Sequence, residues 1–258
     1  MAVFADLAHG WVVKFFRHIL TGLRTLRLRE FSVARAHCPF CGPSIFVRLN
    51  GSESGVRCVR CTASTVHLSI GVVVKDRFST LSGMSVCELS SRGPLVEFLS
   101  KHAKKASFSE YRPDVEYGET FDGVRSEDVQ RLTYPDDSFD LVTHSEVMEH
   151  VPDDARSFEE LKRVLRGNGT MIFTVPLSES PTTVERAAIV DGTITHFLAP
   201  AYHTDPWRNG EGVLAFRDYG MDIKERLHSA GFAKVEIVLP AMTSPWILLR
   251  PVVVATAS

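Results

Sequence analysis

Four of the five cysteines stand in two pairs, Cys38-Pro39-Phe40-Cys41 and Cys58-Val59-Arg60-Cys61, with sixteen residues between the pairs. Two C-x-x-C pairs at this separation suit four thiolates arranged as a tetrahedron around zinc. In such a ribbon each pair sits on a turn. Gly42 follows the first pair, and residues 45–49, Asn50-Gly51 and Val56-Arg57 read as a hairpin with an Asn-Gly turn. Four cysteine ligands close the coordination sphere, so the expected metal is structural rather than catalytic. Disulfides are the competing explanation, but nothing marks the chain as secreted. Cys87 lies in a strand pattern, residues 85–89, and is expected to be a small buried apolar group.

A second set of chemically able residues lies late in the chain. Residues 176–217 lack strong periodicity and are rich in aromatic, histidine and charged side chains, as a lid over an active site would be. Within them stand Thr195-His196-Phe197 and Tyr202-His203-Thr204-Asp205-Pro206-Trp207-Arg208. An imidazole titrates near neutrality, so His203 is the first candidate for a catalytic base or acceptor-positioning group. Tyr202 and Asp205 are the alternatives, and His196 a weaker one.

These groups need a scaffold, and residues 134–176 read as half of one. A buried strand at 139–143 is followed by a polar loop carrying His144, Ser145, Glu146, Glu149 and His150. An amphipathic helix over 154–165 and a second buried strand over 170–175 come next. Upstream, strands are expected at 86–89, 105–110 and 122–125, with a helix over 95–102. Downstream, a helix over 219–230 ends at Gly231, and strands at 234–239 and 247–255 form an antiparallel hairpin. The alternation predicts a doubly wound α/β sheet covered on both faces. Ligands bind such sheets at the carboxyl ends of the strands. Residues 66–80 read as a link of uncertain structure.

The order FDLV at 139–142, EVMEHVPD at 146–153 and ELKRVLRGNGTMIFTVP at 160–176 resembles class I S-adenosylmethionine-dependent methyltransferases of the type 11-like group. That resemblance implies a Rossmann-like seven-stranded sheet with an antiparallel last strand, here preceded by a small zinc-ribbon module. It also implies residue roles. Glu88 matches the acid beneath the methionine end of the cofactor, and Ser90 and Gly93 stand in the loop that is usually glycine-rich. Glu110 matches the acid that accepts from both ribose hydroxyls. Asp128 matches the acid at the adenine amino group, with Val129 as its backbone partner. His144 and Ser145 are expected to begin the loop after the fourth strand, near the sulfonium. Glu149 and His150 complete the signature, the histidine fixing backbone geometry rather than acting as a base. The loop from Glu88 to Pro94 is poorer in glycine than the family pattern. The block from Tyr202 to Pro206, followed by residues 216–220, is similar to a bacterial sub-family that modifies polysaccharides and small molecules.

The resulting division is a basic amphipathic helical segment at 1–35, zinc ribbon and linker at 36–80, and a methyltransferase domain at 81–258 with a lid insertion at about 177–217. The net charge of −2 hides an asymmetry: residues 1–75 carry +7, and the remainder −9. Such a front suits an anionic partner, RNA or a membrane surface. The helical stripe of Phe4, Leu7, Trp11, Phe15, Phe16 and Ile19 favours docking on the body or on a second copy in a homodimer. With neither an 18-residue apolar run nor a secretory leader, a cytoplasmic location is the expectation. The leading functional expectation is methylation of a hydroxyl on a sugar or other small metabolite. The alternatives are RNA methylation through the basic zinc module, and a non-catalytic binding or scaffold protein with a degenerate cofactor loop.

Overall fold

In the computed structural model, residues 26–52, 55–204, 212–242 and 247–258 are described. The amphipathic stripe at 3–23, Asp205, Trp207 and Arg208 lie outside them.

The chain opens with a three-stranded antiparallel sheet, β1 (Ser32–Cys38), β2 (Gly42–Arg48) and β3 (Val56–Cys58). The expected β2–β3 hairpin is present, with Phe46 opposite Cys58. Strand β1 is an addition that the reading of the sequence missed. Gly42, at φ +78°, turns the first cysteine pair back into β2.

Residues 66–80 are not a link. Helix α1 (Thr65–Arg77) fills most of that span. Its core, Ile70-Gly71-Val72-Val73-Val74, has poor helix propensity and no polar stripe, so periodicity did not show it. A helix apolar on all sides is stable when covered on all sides. Ile70, Val73 and Val74 pack on the large sheet, while Leu68 packs on Phe46, Cys38 and Cys58. Gly71 lets the Phe40 ring pack close against the helix, because a Cβ would lie 2.6 Å from that ring.

The large sheet contains β4 (Ser85–Glu88), β5 (Lys105–Glu110), β6 (Thr120–Phe121), β7 (Val124–Ser126), β8 (Phe139–Ser145) and β9 (Leu165–Thr174). It is completed by β16 (Phe232–Val238) and β17 (Val252–Ala257). Their order is β16-β17-β9-β8-β4-β5-β7-β6. Strands β7, β5, β4, β8 and β9 are parallel, and β17 is antiparallel to both β9 and β16. This is the expected seven-stranded doubly wound sheet with its antiparallel last strand. The short β6, folded back through Asp122-Gly123, adds an eighth strand at the edge.

Successive residues of β8 alternate faces. Leu141 packs with α1 and with α2 (Pro94–His102), through Leu95, Phe98 and Leu99. Val142 packs on the opposite face with Phe158 and Leu161 of α3 (Asp154–Val164) and Ile223 and Leu227 of α4 (Ile223–Ser229). Cys87 is buried on that second face, as its small apolar character predicts. Because β5 and β7 lie to one side of β4 and β8 to the other, the crossovers diverge between β4 and β8. Their carboxyl ends therefore open a crevice.

The segment between β9 and α4 is built from short pairs rather than irregular chain. Strand β10 (Val184–Glu185) pairs with β15 (Arg217–Asp218), β11 (Ala187–Val190) with β12 (Thr193–His196), and β13 (Tyr202–Thr204) with β14 (Gly212–Leu214). Strands of two to four residues are too short to show a period. Helix α4 also starts later than residue 219, because Arg217 and Tyr219 serve as lateral ties described below. Gly231 ends the helix region at φ +95°, as expected. Among the described residues no helix is long and apolar enough to cross a membrane.

Candidate active site and cysteine centre

The two leading acids sit at the carboxyl ends of adjacent parallel strands. Glu88 ends β4 and is 2% exposed. Ser90 donates to its Oε1 at 2.9 Å, and the Thr143 hydroxyl of β8 donates to Oε2. Burial raises its carboxyl to about 7, against the opposing pull of these two hydroxyls. Glu110 ends β5, receives the Ser91 hydroxyl and stands 3.5 Å from Arg92 Nε. The loop 89–93 thus holds both carboxylates from one side. Gly93 has φ +103° and precedes Pro94 at the start of α2, a backbone conformation suited to glycine. Only this glycine of the usual loop is needed for the chain to turn; serines fill the remaining space and bond the acids.

Asp128 follows β7, and its Oδ1 accepts from the Gln130 backbone at 2.9 Å; Val129 is buried in the core. The neighbouring Glu127, passed over in the sequence, is the more deeply buried acid. It accepts from Arg125 at 2.6 Å and from the Thr133 amide at 2.9 Å, which pins the turn after β7. Its partners at positions 125 and 133 were visible in the sequence, but their convergence was not.

His144 and Ser145 are the last residues of β8, not the start of a loop; the chain turns at Glu146, at φ +53°. The strand extends because its pairing with β9 continues to Ser145 opposite Thr174. His144 is fully buried, with its ring stacked 4.5 Å from Phe173, and burial lowers it to about 3, keeping it neutral. Both its nitrogens, Ser145 Oγ, Thr174 Oγ1, Glu146 Oε1 and both Glu149 oxygens lack a hydrogen-bond partner among the described residues. So many unpaired buried polar atoms at adjacent strand ends mark a site that takes polar occupants.

Glu149 and His150 lie on a single 3-10 turn, residues 148–150. The proposed lid residues divide around them. His203, on β13, places Nδ1 3.7 Å from Glu149 Oε1, and His150 Nε2 is 3.8 Å from the same oxygen. These are ion-pair separations rather than hydrogen bonds. The Glu149 carboxylate nevertheless raises His203 above its usual value, against partial burial. Tyr202, beside it in the hairpin, is 61% exposed. His196, on β12, is exposed.

The turn is tied to the segment between β9 and α4 by residues that carried no chemical signal. Arg217, 3% exposed, donates to the carbonyls of Met148 at 3.1 Å, Val151 at 2.5 Å and Pro152 at 2.7 Å. It also meets Glu185 at 3.1 Å. Tyr219 donates to Asp154 Oδ2 at 2.9 Å, and Arg226 binds both Asp154 and Glu185. The block at 216–220, read as a helix start, is this clamp.

The four cysteines converge. Their sulfurs lie within 4.8 Å of one another, with Cys38–Cys61 and Cys41–Cys58 each at 3.5 Å. All are free thiols rather than disulfides. Tetrahedral zinc–sulfur bonds of about 2.3 Å place sulfurs about 3.8 Å apart, so the cluster fits such an ion with a small expansion. The Ser44 hydroxyl lies 3.1 Å from Cys58 Sγ, ready to bond a thiolate.

Residues 82–173 match a family described as a methyltransferase domain. A search of curated protein sequences returns no match. Among solved structures, an S-adenosylmethionine dependent methyltransferase from Mesorhizobium loti aligns at 17% identity. It covers 73% of this chain and 96% of that one, with a TM-score of 0.47. A methyltransferase from Thermotoga maritima aligns at 15% identity over 74% of this chain and 87% of its own, with a TM-score of 0.44.

Proposed function

We propose that this chain, which carries a class I S-adenosylmethionine-dependent methyltransferase domain, methylates a hydroxyl of a sugar or other small metabolite. The observation that carries the cofactor assignment is the pairing of Glu88 and Glu110 at neighbouring strand ends, both held by the loop that opens α2. A vicinal diol suits the two acceptor oxygens of Glu110, with Ser91 and Arg92 yielding their bonds to it. Glu88 and Ser90 face the methionine end, Gly93 shapes the loop, Asp128 and Val129 take the adenine, and His144 and Ser145 underlie the transfer point.

S-adenosylmethionine supplies an electrophilic methyl group. What this chain contributes is alignment, exclusion of water and the handling of the acceptor proton. His203, raised by Glu149 on the turn that follows β8, is the group assigned to the acceptor, with Tyr202 and Asp205 beside it in sequence. Cys38, Cys41, Cys58 and Cys61 hold a structural zinc in this reading.

Calorimetry of the full zinc-containing chain with S-adenosylmethionine tests the assignment. Saturable binding, weakened at least about tenfold by Glu110→Ala through loss of charge-assisted hydrogen bonds, is expected. No binding to wild type would sink it. Incubation of that enzyme with hydroxylated sugars, read by mass spectrometry for methyl ethers, tests the acceptor class; exclusive labelling of RNA overturns it.

A further inference from the structure

The residues around Glu149 carry a second reading. Glu149 Oε1, one nitrogen of His150 and one of His203 lie within 4.8 Å of one another. We infer that Glu149, His150 and His203 form a site for a divalent transition-metal cation, independent of the cysteine centre.

Three observations support this. First, Glu149 is 1% exposed and neither oxygen has a hydrogen-bond partner among the described residues. A buried carboxylate that makes no hydrogen bond is costly, and a cation drawn between it and the two imidazoles offsets that cost directly. Second, His150 Nδ1 lies 2.8 Å from the Leu214 carbonyl. A carbonyl only accepts, so Nδ1 carries a proton, and Nε2 is the nitrogen that faces Glu149 and is placed to ligate. An imidazole oriented in this way by a carbonyl is the usual state of a metal ligand. Third, the two rings meet edge to face with centroids 4.9 Å apart, so they converge on Glu149 without stacking on each other.

The two separations from Glu149 need little closure. Metal–ligand bonds of about 2.1 Å in a tetrahedron set donor atoms roughly 3.4 Å apart, close to the 3.7 and 3.8 Å found here. Two imidazoles and one carboxylate favour zinc, cobalt, nickel or iron(II) over magnesium or calcium. Three protein ligands leave coordination positions open. Glu146, whose Oε1 is buried and unpartnered and whose Oε2 meets Arg250, adds negative charge beside the site.

The chemical role, unlike the binding, rests on the methyl-transfer reading. A cation here would polarise an acceptor hydroxyl. The hydroxyl proton leaves to solvent, an oxygen lone pair forms the new O–C bond, and the C–S bonding pair stays on sulfur. His203 then acts on the acceptor through the cation.

The test uses the full chain with its cysteines already loaded with zinc, titrated with Co2+ and followed by visible absorption. One further equivalent is expected, with weak d–d bands and no thiolate charge-transfer band. His203→Ala, on the partly exposed β13, and His150→Ala should each weaken that uptake at least about tenfold while cysteine-bound zinc and circular dichroism stay unchanged. No further uptake by wild type, or equal uptake by His203→Ala, overturns the site. S-adenosylmethionine binding is read on the same samples: cofactor binding without cobalt uptake rejects only the metal site. Cobalt uptake without cofactor binding rejects only the methyl-transfer reading.

Discussion

Glu88 is an acid whose burial changes its chemistry within an easily measured pH range. Its folded-state carboxyl lies near 7, raised by burial from 4.5. Below pH 4.5 it is protonated in both folded and unfolded chains, and its contribution to stability is intact. As pH rises from about 4.5 to about 7 the unfolded chain ionises first, so stability falls, by on the order of 3 kcal/mol in all. Urea melts across that range should show this decline, and Glu88→Gln should flatten it. An unchanged slope in the variant would assign the decline to other groups. Arg217 is a second buried charged group. It joins three backbone carbonyls and Glu185 while almost wholly buried, so Arg217→Ala strands those acceptors and should cost about 3–5 kcal/mol. Lysine lacks the planar fork and should not rescue the loss, as thermal melts of both variants will show.

At the scale of elements, α1 couples the cysteine sheet to the large sheet. Its two faces are both apolar, and Gly71 admits the Phe40 ring against the helix backbone. Gly71→Ala should therefore destabilise by about 1–3 kcal/mol through overpacking, even though alanine is the better helix former. A stabilised variant in denaturant melts would show that Phe40 can retreat. On the opposite face Phe158 of α3 is fully buried against Phe173, and Phe158→Ala should cost about 3–5 kcal/mol.

For the whole molecule, the shared core predicts that the two sheets unfold together. Phe46, Cys38, Cys58 and Ala63 share a core with Leu68 of α1 and with Ile247 and Leu249 just before β17. Removing the zinc proposed at the four cysteines should release these contacts as well as β1–β3. Hydrogen exchange after chelation is expected to rise in residues 32–77 and at 247–250, while β8 and β9 stay protected. Exchange confined to 32–61 would show the modules to be energetically independent.

Local patterns were enough for part of this molecule. The strands at 105–110 and 139–143, the helix from 154 and the cysteine hairpin are legible because each repeats its own short period or turn chemistry over enough residues. The family resemblance singled out the acids at 88 and 110, and the structure shows each at the end of its strand. Tertiary structure alone decided the rest. Helix α1 owes its stability to burial on two sides rather than to propensity, so nothing within residues 65–77 announces it. The lid pieces are too short to carry a period, and they form because β10 finds β15, and β13 finds β14, across distant chain. Most of all, the sequence separates the Cys38–Cys41 and Cys58–Cys61 pairs by a countable spacing that predicts their convergence. Glu149 and His203 are far apart in the chain and share no motif. Only the Arg217 clamp and the Leu214 carbonyl, acting through the folded hairpins, bring His150 and His203 to the same carboxylate oxygen.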